Sequence, residues 1–225
     1  MAGKIIIERI PGIFAGLYEK AGRMVKESYY RVLAEEISGL LVEGSILDLG
    51  TGPGFLPIEI AKLSPGITIM GLDLSSELLK MAEKKAYAAG VSDRVHFRLG
   101  SAALVPFEDN RFDLVLSTGM LHMVKDPLKV FQEIHRVLKP GGQALILDPA
   151  RVSSGIDKKK WKASLTGKEK IMLRVFHLFS RIHPGRSYHQ AELEEILART
   201  EFREKQVEEQ GKEIKILLRK TPGFK

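Results

Sequence analysis

Residues 46–61, ILDLGTGPGFLPIEIA, limit what this chain can fold into more than any other stretch. A short apolar run leads into Asp48, three glycines follow at alternate positions (Gly50, Gly52, Gly54), and Ile58, Ile60 and Ala61 continue as an apolar helix. The pattern is a strand, a tight turn and a helix. Glycines in such a turn let the backbone close sharply and let a ligand lie against the main chain with no Cβ in the way. The spacing is G-x-G-x-G, with Phe55 where the dinucleotide fingerprint G-x-G-x-x-G has its last glycine. Asp48 stands two positions before the first glycine. A carboxylate there repels a pyrophosphate and suits a ligand with a cationic ammonium or sulfonium group.

Strand-length apolar runs alternate with helical patterns along the rest of the chain, which predicts a mostly parallel sheet covered on both faces by helices. The expected strands are 45–49, 68–72, 95–99, 112–117 and 143–147, with helices over 55–63, 76–89 and 127–138 between them. Pro140-Gly141-Gly142 is expected to stop the last of these helices. A helix over 190–200 and two runs near 202–207 and 214–219 suggest a closing hairpin, and residues 13–41 have helical spacing. The chain of 225 residues suits one large α/β domain. Its expected parts are an N-terminal helical cap (1–44), a core (45–150), an inserted segment (151–189) and a closing helix and hairpin (190–225).

Charge is concentrated in that insertion. Between Arg151 and His189 ten basic residues face two acids, so the segment carries +8 and the rest of the chain −1 of the total +7. About forty residues is long for a simple connection, and an apolar stripe from Leu165 to Leu178 suggests a helix closing over a pocket. Its lysines and arginines would then attract an anionic acceptor or an RNA backbone, or form a solvated basic face. The absence of cysteine removes disulfides, thiolate metal sites and cysteine nucleophiles. No window approaches a membrane span, and the start of the chain, broken by Glu8 and Arg9, is a poor signal peptide, so a cytoplasmic location is expected.

Four ordered stretches resemble the class I S-adenosylmethionine-dependent methyltransferases: ILDLGTGPG, GLDLSSELLKMA, VHFRLGSAALVPFEDNRFDLVLS and VLKPGGQALILDP. The resemblance covers about residues 46–149 and is closest to small-molecule members with a methyltransferase-11-like domain. It implies a Rossmann-like doubly wound α/β fold, a seven-stranded sheet of order 3-2-1-4-5-7-6 with strand 7 antiparallel and helices on both faces. It also implies S-adenosyl-L-methionine as cofactor, bound through Tyr18, Asp48, Gly50, Thr51, Gly52, Gly54, Asp73, Leu74, Ser101, Ala102 and Ser117, with no metal. Asp73 follows Gly54 by 19 residues, the spacing at which an acid at a strand tip meets ribose hydroxyls. Capping of the helix from Ser76 is the other role open to it, and to Ser75. The family has an acid after the glycine of its third strand, where this chain has Ser101, a shorter and uncharged acceptor for the adenine amino group.

Methyl transfer from a sulfonium mainly requires the acceptor to be held in line and water excluded. The loop Ser117–Pro127 lies where the acceptor should arrive, and His122 resembles a histidine found there in many small-molecule members, as a base or as a packed support. The same loop lacks the Asn/Asp-Pro-Pro-Tyr/Phe pattern of enzymes acting on adenine or glutamine amino groups. The expected function is therefore methylation of an O, N or C atom of a small, possibly anionic, molecule. RNA methylation through the basic segment, a non-catalytic cofactor-binding module and a nicotinamide dehydrogenase are the alternatives, the last opposed by Asp48 and the missing glycine.

Overall fold

The computed structural model describes residues 15–16, 19–20, 29–150, 187–211 and 213–223. Helix α1 (Arg31–Leu40) precedes β1 (Glu43–Leu49), α2 (Phe55–Leu63), β2 (Gly66–Asp73), α3 (Ser76–Ala88) and β3 (Val95–Leu99). Then come β4 (Phe112–Thr118), a 3₁₀ turn (Leu121–Met123), α4 (Pro127–Val137) and β5 (Leu138–Pro149). After residues 151–186, α5 (Gln190–Ala198), β6 (Glu204–Gln210) and β7 (Glu213–Arg219) complete the fold.

The strands form one seven-stranded sheet in the order β3-β2-β1-β4-β5-β7-β6. The first five run parallel, and β7 is antiparallel to both β5 and β6. This is the order and the antiparallel strand that the family resemblance implies. Helices pack on both faces because the strands are apolar on both. Leu33 and Ile37 of α1 and Ile58 of α2 share a buried cluster with Ile46, Ile69 and Leu116, while Phe131, Leu193 and Leu197 of α4 and α5 share another with Leu47 and Val115. Helices α3, α4 and α5 start where side chains satisfy free amides. Ser75 accepts from the amide of Leu78, Asp126 from that of Lys129, and Glu192 from that of His189. The capping role open to Ser75 is thus the one it fills, and Asp73 is left for another.

One expectation is corrected. Pro140-Gly141-Gly142 does not simply end α4, which stops at Val137 and passes directly into β5. Phe112 pairs with Leu138 and Leu114 with Gln143, so two steps on β4 face five on β5. The proline and glycines absorb this bulge: Gly141 has φ +80°, and a Cβ on Gly142 would meet the carbonyl oxygen of Asp113 at 3.0 Å. All five parallel strands therefore end at one edge, which is where open α/β sheets bind ligands. The ends of the basic segment are held there too, since Ala150 at the end of β5 bridges to Tyr188, which is buried. The segment itself, residues 151–186, and most of the expected N-terminal cap lie outside the described residues.

Candidate functional site

The glycine turn between β1 and α2 is folded back onto the end of β2. The amides of Gly50 and Thr51 both donate to the carbonyl of Leu72, at 2.8 and 3.0 Å. The amide of Gly52 donates to Oδ2 of Asp73 at 2.8 Å, and that of Gly54 to the carbonyl of Thr51 at 3.1 Å. These donors are therefore spent inside the protein. A dinucleotide pyrophosphate needs such amides free; this loop instead offers a ligand the bare faces of its glycines. Gly50, at φ +73°, is doubly required, because a Cβ there would stand 2.6 Å from Cγ of Met120.

Gly50 and Gly52 form one wall of a solvent-open cleft at the carboxyl edge of the sheet. Asp73, Leu74, Ser101 and Ala102 form its polar end, and Met120, Met123 and Val124 its apolar side. Each carboxylate oxygen of Asp73 accepts one backbone amide, Oδ1 from Ser75 at 2.8 Å and Oδ2 from Gly52. The amide of Leu74 also favours the charged form, and since a carboxylate has about four lone-pair sites, acceptor capacity is left that suits ribose hydroxyls. Burial raises the Asp73 pKa, against the backbone amides that stabilise its charge. Ser101 also lines the cleft, but its hydroxyl oxygen already accepts the amide of Ala103 at 3.2 Å, which leaves one lone pair and the O–H proton.

Asp48, Thr51, Gly54 and Ser117 do not reach this cleft. Gly54 (φ +74°) serves packing, since a Cβ there would meet Ala82 at 2.9 Å and the Phe97 ring at 3.0 Å. Ser117 is buried in β4. Asp48 is 2% exposed, behind the loop, and its Oδ1 has no hydrogen-bond partner among the described residues. Burial pushes its carboxyl up to about 7, helped by the charge of Asp73. Thr51 opposes this, close enough to favour the charged form yet without the geometry of a hydrogen bond, so that its Oγ1 is unpartnered as well. Tyr30, stacked on Phe55 with ring centroids 5.9 Å apart, is pushed up to about 12 by burial and by Asp48. An uncompensated buried carboxyl under a glycine turn fits a site that receives positive charge. Tyr18 lies outside the described residues.

His122 sits on the 3₁₀ turn between two residues of the apolar wall, Met120 and Met123; its own side chain is one-quarter exposed and does not line the cleft. Its backbone amide and its ring Nδ1 both reach Oδ1 of Asp148, at 3.1 and 3.0 Å. Asp148, at the end of β5, is a partner of His122 that sequence reasoning missed. Its only signal is its place, an acid closing an apolar strand just before Pro149. Among the described residues no cluster of three or more His, Asp or Glu could hold a metal ion.

A family described as a methyltransferase domain matches residues 42–212 of the chain. A demethylmenaquinone methyltransferase of Lactiplantibacillus plantarum is 37% identical over 139 residues, which cover 61% of this chain and 55% of that protein. A ubiquinone/menaquinone biosynthesis C-methyltransferase of a Geobacter species is 30% identical over 148 residues, 63% of each chain. The matches thus take in only about half to three-fifths of the length of these curated relatives. The crystal structure of a candidate S-adenosyl-L-methionine-dependent methyltransferase from Methanococcus maripaludis superposes with a TM-score of 0.75, at 25% identity, over 100% of this chain and 99% of that one.

Proposed function

The chain belongs to this methyltransferase-domain family, and we propose that it moves a methyl group from S-adenosyl-L-methionine to an O, N or C atom of a small-molecule acceptor. The observation that carries the reading is the internal consumption of the glycine-loop amides by Leu72 and Asp73. It leaves a bare surface and a diol-reading carboxylate, with no phosphate cradle. When bound, the cofactor supplies a methyl on a sulfonium, whose carbon–sulfur electron pair leaves on sulfur as the new bond forms.

In this reading Asp73 accepts the two ribose hydroxyls while its amide contacts aim it. Gly50 and Gly52 admit the ligand against the backbone. Leu74 and Ala102 flank the adenine, and Ser101 gives it one remaining acceptor site. Asp48 and Thr51 act from beneath the loop, where Asp48 becomes a carboxylate when a cationic ligand arrives. Ser117 supports the strand end, and Tyr18 covers the methionine end of the cofactor. Met120, Met123 and Val124 keep water from the reacting centre. His122 takes the acceptor's proton where the acceptor carries one. The basic segment attracts an anionic acceptor, and the protein works in the cytoplasm; no helix among the described residues is long and apolar enough to cross a membrane.

The test is transfer of labelled methyl from S-adenosyl-L-methionine to separate acceptor pools. One pool holds demethylated quinols, which the names of the relatives suggest; others hold carboxylate and phosphate metabolites, and RNA. Label in a small molecule supports the proposal. Label in RNA alone replaces it with the RNA reading, and binding without transfer to any pool with a non-catalytic module.

A further inference from the structure

We propose that Asp148 is a positioning residue for His122, holding its ring with the proton on Nδ1 and leaving Nε2 as the free nitrogen on the loop beside the cleft. Two residues 26 apart in sequence meet because β4 and β5 pair in parallel up to Thr118 and Leu147, with the amide of Gly119 donating to the carbonyl of Leu147 at 2.8 Å. One oxygen, Oδ1 of Asp148, then takes both the main-chain amide and the ring nitrogen of the same residue. The first bond fixes the turn and the second fixes the ring. The amide bond alone would suffice for a structural turn.

The cost of the arrangement argues for more than packing. Asp148 is 2% exposed, and its Oδ2 has no hydrogen-bond partner among the described residues. The one ion pair found for it among those residues is with His122. Burying a carboxylate without a cation is unfavourable, and the cation that would relieve it is the imidazolium formed when Nε2 accepts a proton. Among the described residues, Tyr29 is close enough to feel the charge of Asp148, and its hydroxyl donates to Glu213 of β7 at 2.6 Å. A carboxylate that orients a histidine and stabilises its imidazolium is a recurrent device for a general base.

The role rests on the methyl-transfer reading. As the acceptor's electron pair bonds the methyl carbon and the carbon–sulfur pair leaves on sulfur, the acceptor's proton passes to Nε2. The test separates the two claims. In the full-length protein without cofactor, nitrogen-15 NMR of labelled histidine reports the neutral tautomer, with the His122 signal assigned by its loss in His122→Gln. The expected state is Nδ1–H in the native chain, with a shift toward Nε2–H in Asp148→Ala. Asp148→Asn, the same size, should lower kcat by about tenfold or more with the KM for cofactor unchanged. An Nε2–H tautomer in the native chain overturns the proposal whether or not the variants fold. So does an unchanged kcat in a folded Asp148→Asn. If the native chain shows Nδ1–H yet binds no S-adenosyl-L-methionine, the methyltransferase reading fails while the positioning of His122 stands.

Discussion

Asp48→Asn should remove a pH dependence of folding stability that the native chain carries. The Asp48 carboxyl is buried beneath the glycine loop, and burial, then the charge of Asp73, push it from 3.8 up to about 7. Between those values the folded protein keeps a proton that the unfolded chain has lost, so stability falls as pH rises through the window. At about 1.4 kcal/mol per pH unit, the full cost above both values is on the order of 4 kcal/mol. The asparagine variant has no such proton, and any fixed cost of its amide is the same at every pH. Urea unfolding of both proteins without ligand, at about pH 5 and about pH 8, reads the difference. The variant should gain on the native chain by on the order of 2–3 kcal/mol between the two conditions, about two pH units of the window. A cationic ligand favours the charged carboxylate, so the affinity of the native chain for S-adenosyl-L-methionine should rise with pH across the window while that of the variant stays flat. Unfolding free energies that run parallel at both pH values would refute the account of Asp48.

Gly50→Ala places a Cβ at φ +73° and 2.6 Å from Cγ of Met120. It should cost on the order of 1–3 kcal/mol in stability, and Met120→Ala in the same chain should recover the steric part, as thermal unfolding would show. Ser101→Asp should tighten adenosylhomocysteine binding by about fivefold or more, because a second oxygen frees an acceptor for the adenine amino group while the first keeps the Ala103 amide; calorimetry checks it. Neutralising Arg174, Arg181 and Arg186 together should raise KM for an anionic acceptor, more at low salt, and leave cofactor affinity unchanged in steady-state assays.

The sheet was legible because its signals are local. β3 and α2 lie at the expected residues, Val95–Leu99 and Phe55–Leu63, since each is an apolar run bounded by turn chemistry or by Gly54. Strand order came from ordered motifs, which no single strand encodes. The start of β5 was misjudged because Pro140-Gly141-Gly142 stops a helix and makes a strand bulge equally well, and only pairing with Phe112 decides between them. At the site, the spacing of Asp73 from the glycines showed where it would lie, yet not that it also ties down the Gly52 amide. Gly54 looked like a ligand contact and serves the packing of Ala82 and Phe97. Asp148 was missed because its reason is tertiary: it meets a histidine from the neighbouring strand's loop.

Calorimetric titration with S-adenosyl-L-methionine and, separately, with NAD tests the central claim most directly. The native chain should bind S-adenosyl-L-methionine and give no response to NAD. Asp73→Ala should weaken binding by about 1–3 kcal/mol, the cost of stranding the partners of a charge-assisted hydrogen bond. Tight binding of NAD with no response to S-adenosyl-L-methionine would contradict it.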